Sequence, residues 1–73
     1  MKVIRTAEFH AGDVYRLPKI ISEIHVVSGL AWVTVPGKDI VLSQGESALF
    51  VPGKRDAVLT PLGDMPLIVE ELG

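Results

Sequence analysis

The 73-residue sequence contains no cysteine and only two histidines, His10 and His25. Without cysteine the chain has no disulfide, no thiolate metal ligand and no cysteine nucleophile. A metal centre built from several imidazoles within one chain is also excluded, because it needs more than two histidines. The sequence therefore predicts a protein that uses no metal and no other cofactor.

Dense positive charge is lacking as well. The chain carries 7 basic and 9 acidic residues, a net charge of −2, and its longest basic cluster is Lys54-Arg55. A nucleic-acid-binding surface needs a denser positive patch, so no such partner is expected. The apolar runs are far shorter than a membrane span, and the first ten residues lack the pattern of a signal peptide. These absences predict no membrane contact and favour a cytoplasmic protein.

Apolar residues, in contrast, are abundant for so short a chain. They make up 48% of the chain. We interpret residues 1–73 as a single domain. A domain of this size buries only roughly 60% of the surface that its unfolded chain exposes. Without disulfides or metals, oligomerisation is the remaining way to stabilise so small a domain. We therefore expect part of the apolar surface to meet a second subunit in a homodimer.

The order of residue types predicts an all-β fold. Valine and isoleucine, which favour strands, number 16, and glycines follow at intervals of eight from position 29 to position 53. Regular turn signals between short β-branched runs are typical of a sandwich or barrel. Strands are predicted at 2–5, 14–18, 22–28, 30–35, 39–43, 47–51, 57–60 and 66–72. The connections are too short for parallel crossovers, so the sheets must be mainly antiparallel; residues 6–13 are expected to form at most one turn of helix.

Glycine and proline are predicted to shape the turns between these strands. The candidate turn residues are Gly29, Pro36, Gly37, Gly45, Pro52 and Gly53. Pro36 presets φ, and Gly37 can take φ > 0 in a hairpin turn. The glycines at 29, 45 and 53 are each expected to need a positive φ or a sharp bend. The prolines at 18, 52, 61 and 66 fall at predicted strand ends, where a missing N–H group is tolerated.

The stretch from Ser22 to Val58 resembles the cupin superfamily. Gly45 and Gly53 hold the two glycine positions of the second cupin motif, with Pro52 one place from the proline position. Gly29 ends the first motif, and 15 residues separate it from Gly45. This resemblance implies a small antiparallel β-barrel or jelly roll of about eight short strands.

The metal-binding positions of that superfamily do not match. The histidine position of the second motif is Asp56, and the glutamate position of the first motif is Ser22. The two histidine positions of the first motif fall on Tyr15 and Leu17, or on the residue after each. A cupin centre needs about three imidazoles and a carboxylate around one ion. The resemblance thus implies a cupin barrel without its metal.

Two groups within the superfamily look closest. One consists of small bacterial cupin-like domains of unknown function, whose pattern matches Gly29, Trp32, Thr34, Asp39, Leu42, Gly45 and Glu46. The other is the metal-free pyrimidine/purine nucleoside phosphorylase family, which shares "VVSG" at 26–29 and "VPG" at 51–53. Two hypotheses for function follow. One is a non-catalytic module that binds a ligand or a partner or serves a structural role, and the other is a metal-independent enzyme resembling those phosphorylases. A metal site shared between subunits is a third possibility.

Five residues are candidates for binding a small molecule. Glu23 and His25 share a strand face, either as an acid–base or ligand pair or as part of a solvated polar surface. Asp56 either keeps a carboxylate in the barrel mouth or belongs to a charged turn, where it pairs loosely with Lys54 or Arg55. These two basic residues could instead hold a phosphate or carboxylate ligand, although adjacent strand residues point to opposite faces.

The strand at 30–35 is apolar on both faces, which predicts that other protein groups pack against each of them. Leu30 and Trp32 share one face. Trp32 either packs in the core or anchors a partner, since tryptophan is enriched at interface hot spots. Leu30, Trp32 and Phe50 are therefore the candidate interface residues.

Overall fold

The computed structural model describes residues 2–51 and 56–73. The strands are β1 Val3–Phe9, β2 Tyr15–Arg16, β3 Glu23–Ser28, β4 Leu30–Val35, β5 Lys38–Leu42, β6 Ser47–Leu49, β7 Val58–Leu62 and β8 Leu67–Leu72. The prediction of an all-β chain with about eight short strands is confirmed. Across these two stretches no helix has the length and apolar character needed to cross a bilayer.

The strands divide into two antiparallel sheets of four. Sheet A has the order β1-β8-β3-β6, and sheet B has the order β2-β7-β4-β5. The last strand in chain order, β8, therefore lies between β1 and β3. Within the described residues neither sheet closes on itself, so the two sheets pack as an open sandwich around a shared core.

The chain passes between the two sheets repeatedly at one end of the sandwich. Residues 10–14, Gly29, residues 43–46 and residues 63–66 each connect a strand of one sheet to a strand of the other. The register brings these connections together, since Phe9 pairs with Leu67 and Leu30 pairs with Leu62. We call this end the crossing end.

The period-two alternation of the strands separates the core from the surface. Ile24 and Val26 of β3 are fully buried, and so are Ala31 and Val33 of β4, while the residues between them face outward. Full burial of one Ile or Val side chain contributes roughly 1.5–3 kcal/mol. The buried apolar side chains are Phe9, Leu17, Ile21, Ile24, Val26, Ala31, Val33, Leu42, Ala57, Leu59, Leu67 and Val69.

The prediction for residues 6–13 is wrong in its first half. Residues 6–9 continue β1, because β8 offers them a full row of partners from Thr6 opposite Glu70 to Phe9 opposite Leu67. Only residues 10–13 form a turn, in which Asp13 N donates to the carbonyl oxygen of His10 at 2.9 Å. A tertiary partner thus overrides a weak local preference.

The expected position of Pro61 at a strand end is also wrong. Pro61 lies inside β7, opposite Ala31 of β4. The other neighbour of β7, strand β2, pairs only with Val58 and Leu59. Beyond Leu59 the strand has one neighbour, so a residue without an N–H group is tolerated there.

Candidate functional site

The crossing end of the sandwich contains a cleft of about 280 Å³. It forms where three of the four connections meet the strand ends beside them. Its lining residues are Gly29, Leu30, Ser43, Gln44, Leu62, Gly63, Asp64 and Met65. Its volume lies near the lower end of the range found for small-molecule sites, which is roughly 300–1,000 Å³.

The shape of the cleft depends on Gly29. This single residue connects β3 of sheet A to β4 of sheet B, with φ of 90°. A Cβ atom here would lie 2.6 Å from the carbonyl oxygen of Pro66. Only glycine therefore lets the 63–66 connection pack directly against this corner. The glycine spacing in the sequence pointed to the corner, but gave no sign of the connection packed on it.

A second wall of the cleft is a hydrogen-bonded turn from Ser43 to Glu46. Glu46 N donates to the carbonyl oxygen of Ser43 at 3.0 Å, and Gly45 has φ of 87°, as in a type II turn. Oε1 of Glu46 accepts hydrogen bonds from the backbone N of Ser43 at 2.7 Å and from its Oγ at 2.8 Å. These bonds lower the pKa of Glu46, so the carboxylate stays ionised and keeps the turn closed.

The chemistry of the cleft is mainly apolar. Leu30, Leu62 and Met65 supply its hydrocarbon surface, and the Gln44 amide and the Asp64 carboxylate add exposed polar groups. A few polar groups on an apolar surface are the usual composition of a small-molecule site. The arrangement suits a small apolar molecule that carries a hydrogen-bond donor or a positive charge, because a carboxylate accepts from both.

Glu23 and His25 lie outside this cleft, on the outer face of sheet A. His25 Nδ1 is 2.8 Å from Ser47 Oγ, and His25 stands opposite Glu70 on β8. Glu23 stands opposite apolar residues on both neighbouring strands. Within residues 2–51 and 56–73 no group of three or more His, Cys, Asp or Glu side chains is placed to hold a metal ion. This geometry is that of a solvated sheet face on which polar and apolar residues stand opposite one another.

Asp56 is exposed and forms an ion pair with Arg16. The Oδ1 atom of Asp56 is 3.4 Å from an Nη atom of Arg16, and the two side chains are 63% and 72% exposed. A pair so exposed contributes little, about 0–1 kcal/mol. Lys54 and Arg55, the predicted partners of Asp56, lie outside the described residues, as do Pro52 and Gly53.

The three candidate interface residues separate into two groups. Leu30 and Trp32 point outward from sheet B, with 41% and 38% of each residue exposed. Of the two interpretations of Trp32, the structure excludes packing in the core of its own chain. Phe50 follows β6 of sheet A and packs against the core, and its N donates to the carbonyl oxygen of Ser22 at 2.7 Å. Phe50 therefore does not share a face with Trp32.

A charged cluster between the sheets was not predicted. Glu71 of β8 is fully buried. One carboxylate oxygen accepts a hydrogen bond from the Tyr15 hydroxyl at 3.0 Å, and the other accepts from Nε of Arg5. The Arg5 guanidinium carbon also lies 5.0 Å from the centre of the Tyr15 ring, a cation–π contact. Both carboxylate oxygens are thus bound, as a buried charge requires.

The sequence contained one signal for this cluster. Glu71 is two and four residues from Val69 and Leu67, so strand alternation places it on their buried face. Burial and the hydrogen bond to Glu71 raise the pKa of Tyr15, and the same carboxylate raises the pKa of Arg5. Both shifts move the titration of these groups further above neutral pH. The cluster therefore links β1, β2 and β8.

No protein-family model, curated protein or solved structure matches this chain. The features that bear on function are therefore those of the molecule itself. They are the apolar cleft at the crossing end and the unequal outer faces of the two sheets.

Proposed function

We propose that this protein is a small cupin-like binding module of the cytoplasm, which takes a small ligand in the crossing-end cleft and does not transform it. The observation that carries the proposal is the cleft itself, with Leu30, Leu62 and Met65 as its apolar surface and Asp64 beside them. The repeated passage of the chain between two antiparallel sheets supports the jelly-roll part of the proposal.

The chemistry of the cleft suggests which ligands to test first. Asp64 is the carboxylate among the lining residues, so a ligand with an ammonium group and a short hydrocarbon chain matches both parts of the surface. We expect primary alkylamines to bind more tightly than alcohols of the same chain length. Binding should shift the amide resonances of residues 29–30, 43–44 and 62–65 in ¹H–¹⁵N spectra.

Asp64→Asn tests this assignment. The substitution keeps the shape of the side chain and removes its charge, so the preference for amines over alcohols should disappear while alcohols bind as before. Asp56→Asn is the matched control, because Asp56 is an exposed aspartate that does not line the cleft. Amine binding that shifts resonances away from the cleft, or that Asp64→Asn leaves unchanged, would contradict the proposal.

The alternative function is a metal-independent enzyme resembling the nucleoside phosphorylase cupins. It is favoured by Gly29, which belongs to the "VVSG" likeness and also lines the cleft. Incubation with nucleosides and phosphate, followed by detection of free base, distinguishes the two functions. Release of free base with turnover supports the enzyme, and binding without release supports the module.

A further inference from the structure

We propose that the outer face of sheet B binds a second copy of this chain, about a two-fold axis that runs parallel to the strands. The proposal goes beyond the ligand-binding function and does not rest on it. Three large apolar residues of this face, Leu30, Trp32 and Val41, are 41%, 38% and 58% exposed. Strand pairing makes them neighbours, since Trp32 stands opposite Val41 on β5.

The two sheets differ in what they show to solvent. On the outer face of sheet A, apolar residues stand opposite charged ones: Leu49 and Leu72 opposite Glu23, and Ile68 opposite Glu8. Apolar residues scattered singly among charged ones are normal on a protein surface in contact with water. On the outer face of sheet B at the crossing end, apolar residues stand opposite one another instead: Leu30 pairs with Leu62, and the next row contains Thr60, Trp32 and Val41. This face has the composition of a covered surface.

The size of the face fits a modest dimer. The strands β2, β7, β4 and β5 have two, five, six and five residues. At about 4.8 Å between strands and about 3.3 Å per residue, they give a flat area of roughly 300 Å² per copy. A specific interface of standard size buries roughly 800 Å² of accessible surface per partner. A face of this area lies below that class, among the weak and transient interfaces, so the dimer should dissociate on dilution within the micromolar range.

Charge complementarity selects a second copy as the partner. One row across the outer face runs from Arg16 on β2 through Val58 and Thr34 to Asp39 on β5. Arg16 and Asp39 are three strand spacings apart, about 14 Å, so they do not pair within one chain. A two-fold rotation about an axis parallel to the strands exchanges the positions of the edge strands β2 and β5. The rotation leaves each residue at the same height along the strands, so this row of one copy faces the same row of the other. It places Arg16 on the partner's Asp39, and Asp39 on the partner's Arg16.

The existing contact of Arg16 leaves it free to make this pair. Its 3.4 Å ion pair with Asp56 is largely exposed, and a guanidinium has five N–H donors. The dimer thus has an apolar centre around Trp32 and two reciprocal Arg16–Asp39 pairs on its flanks. In an isologous two-fold interface each contact occurs twice, so residue i of one copy meets residue j of the other and j meets i.

Charge exchange tests the proposal. In sedimentation experiments over a range of concentrations, the unaltered chain should reach twice its 7.9 kDa mass. Arg16→Asp and Asp39→Arg should each weaken self-association about tenfold or more, since both flanking contacts become repulsive. An equimolar mixture of the two variants should associate again, because a dimer with one chain of each kind has opposite charges at both flanking contacts. A chain carrying both substitutions should also dimerise.

Two controls separate the interface from effects within the chain. Asp56→Asn removes the contact of Arg16 within its own chain and should leave dimerisation unchanged. Trp32→Glu puts a charge at the apolar centre and should give a folded monomer with an unchanged far-ultraviolet circular dichroism spectrum. A monomeric parent chain at high micromolar concentration would overturn the proposal, and so would charge variants that stay apart when mixed. If one single variant fails to fold, dimerisation of the doubly substituted chain decides the question in the same way.

Discussion

Gly29 and Gly45 have nearly the same backbone conformation, with φ of 90° and 87°, but very different surroundings. Open space surrounds the position of a Cβ atom at Gly45, whereas at Gly29 that atom would meet the Pro66 carbonyl oxygen at 2.6 Å. The two residues therefore separate the cost of the conformation from the cost of a steric overlap.

Alanine at each position should measure these two costs. Gly45→Ala should lower the free energy of unfolding by about 1–2 kcal/mol, the cost of a left-handed backbone for a residue with a Cβ atom. Gly29→Ala should cost about 2–5 kcal/mol, because overpacking adds to that strain. Urea denaturation of both variants gives the comparison, with Gly37→Ala as a second open position at φ of 87°. Equal losses at 29 and 45 would show that the 63–66 connection moves away freely.

Single residues also mark the limit of what the sequence predicted. Gly29 was found because glycine at a regular interval is a direct turn signal. The burial of Glu71 was not predicted, because a strand glutamate next to another glutamate is expected to face solvent unless its partners are known. Those partners, Arg5 and Tyr15, are 66 and 56 residues away along the chain. Only the fold brings them together.

Among the elements, the turn between β5 and β6 couples stability to acid. Oε1 of Glu46 accepts two hydrogen bonds from Ser43, and these lower the pKa of Glu46 from its ordinary 4.5. A carboxyl group whose pKa is lower in the folded chain stabilises the fold above its unfolded pKa. That contribution is lost as the pH falls through the lowered folded value.

Glu46→Gln should therefore remove a pH-dependent part of the stability. The parent chain should be the more stable of the two near neutral pH, and the difference should shrink as the pH falls below 4.5, the ordinary pKa of a glutamate. Urea denaturation along a pH series measures this difference, and Glu8→Gln on the exposed side of β1 is the control. A difference that stays constant from neutral to acidic pH would assign the role of Glu46 to something other than its charge.

Strands were predicted better than their ends and partners. The strand at 30–35 was located to the residue, because β-branched residues between two turn signals leave little choice. The end of β1 at Phe9 and the place of Pro61 inside β7 depend on which strand lies alongside. Likewise, an apolar strand predicts that both faces are covered, but the contrast between sheets A and B appears only when β4, β5 and β7 are assembled.

For the whole molecule, the cluster of Arg5, Tyr15 and Glu71 connects sheet A to sheet B. Arg5 and Glu71 belong to β1 and β8, and Tyr15 belongs to β2. Tyr15→Phe removes the donor to one oxygen of a buried carboxylate. We expect a loss of about 1–3 kcal/mol near neutral pH, the cost of an unsatisfied buried acceptor.

The same variant should respond differently to alkali. The pKa of Tyr15 is raised above its ordinary 10.0 in the folded chain, so its contribution is complete below 10.0 and is lost as the pH rises through the raised value. The advantage of the parent chain over Tyr15→Phe should therefore shrink at strongly alkaline pH. Thermal unfolding of both chains from neutral to alkaline pH measures this change. An advantage that stays constant across that range would mean that the hydroxyl of Tyr15 is not desolvated by the fold.

The position of β8 governs how the molecule can be assembled during synthesis. This strand emerges from the ribosome after the other seven, yet it separates β1 from β3 in sheet A. Among the residues that the structure describes, β1 pairs only with β8, and β3 pairs with β8 and β6. Before β8 is made, β1 therefore has no partner strand and β3 has one. Sheet B does not depend on β8, because all four of its strands have been synthesised once Leu62 is added. Folding should therefore proceed from sheet B, with sheet A completed only after translation of residue 72, on the slow timescale of chains dominated by distant pairings.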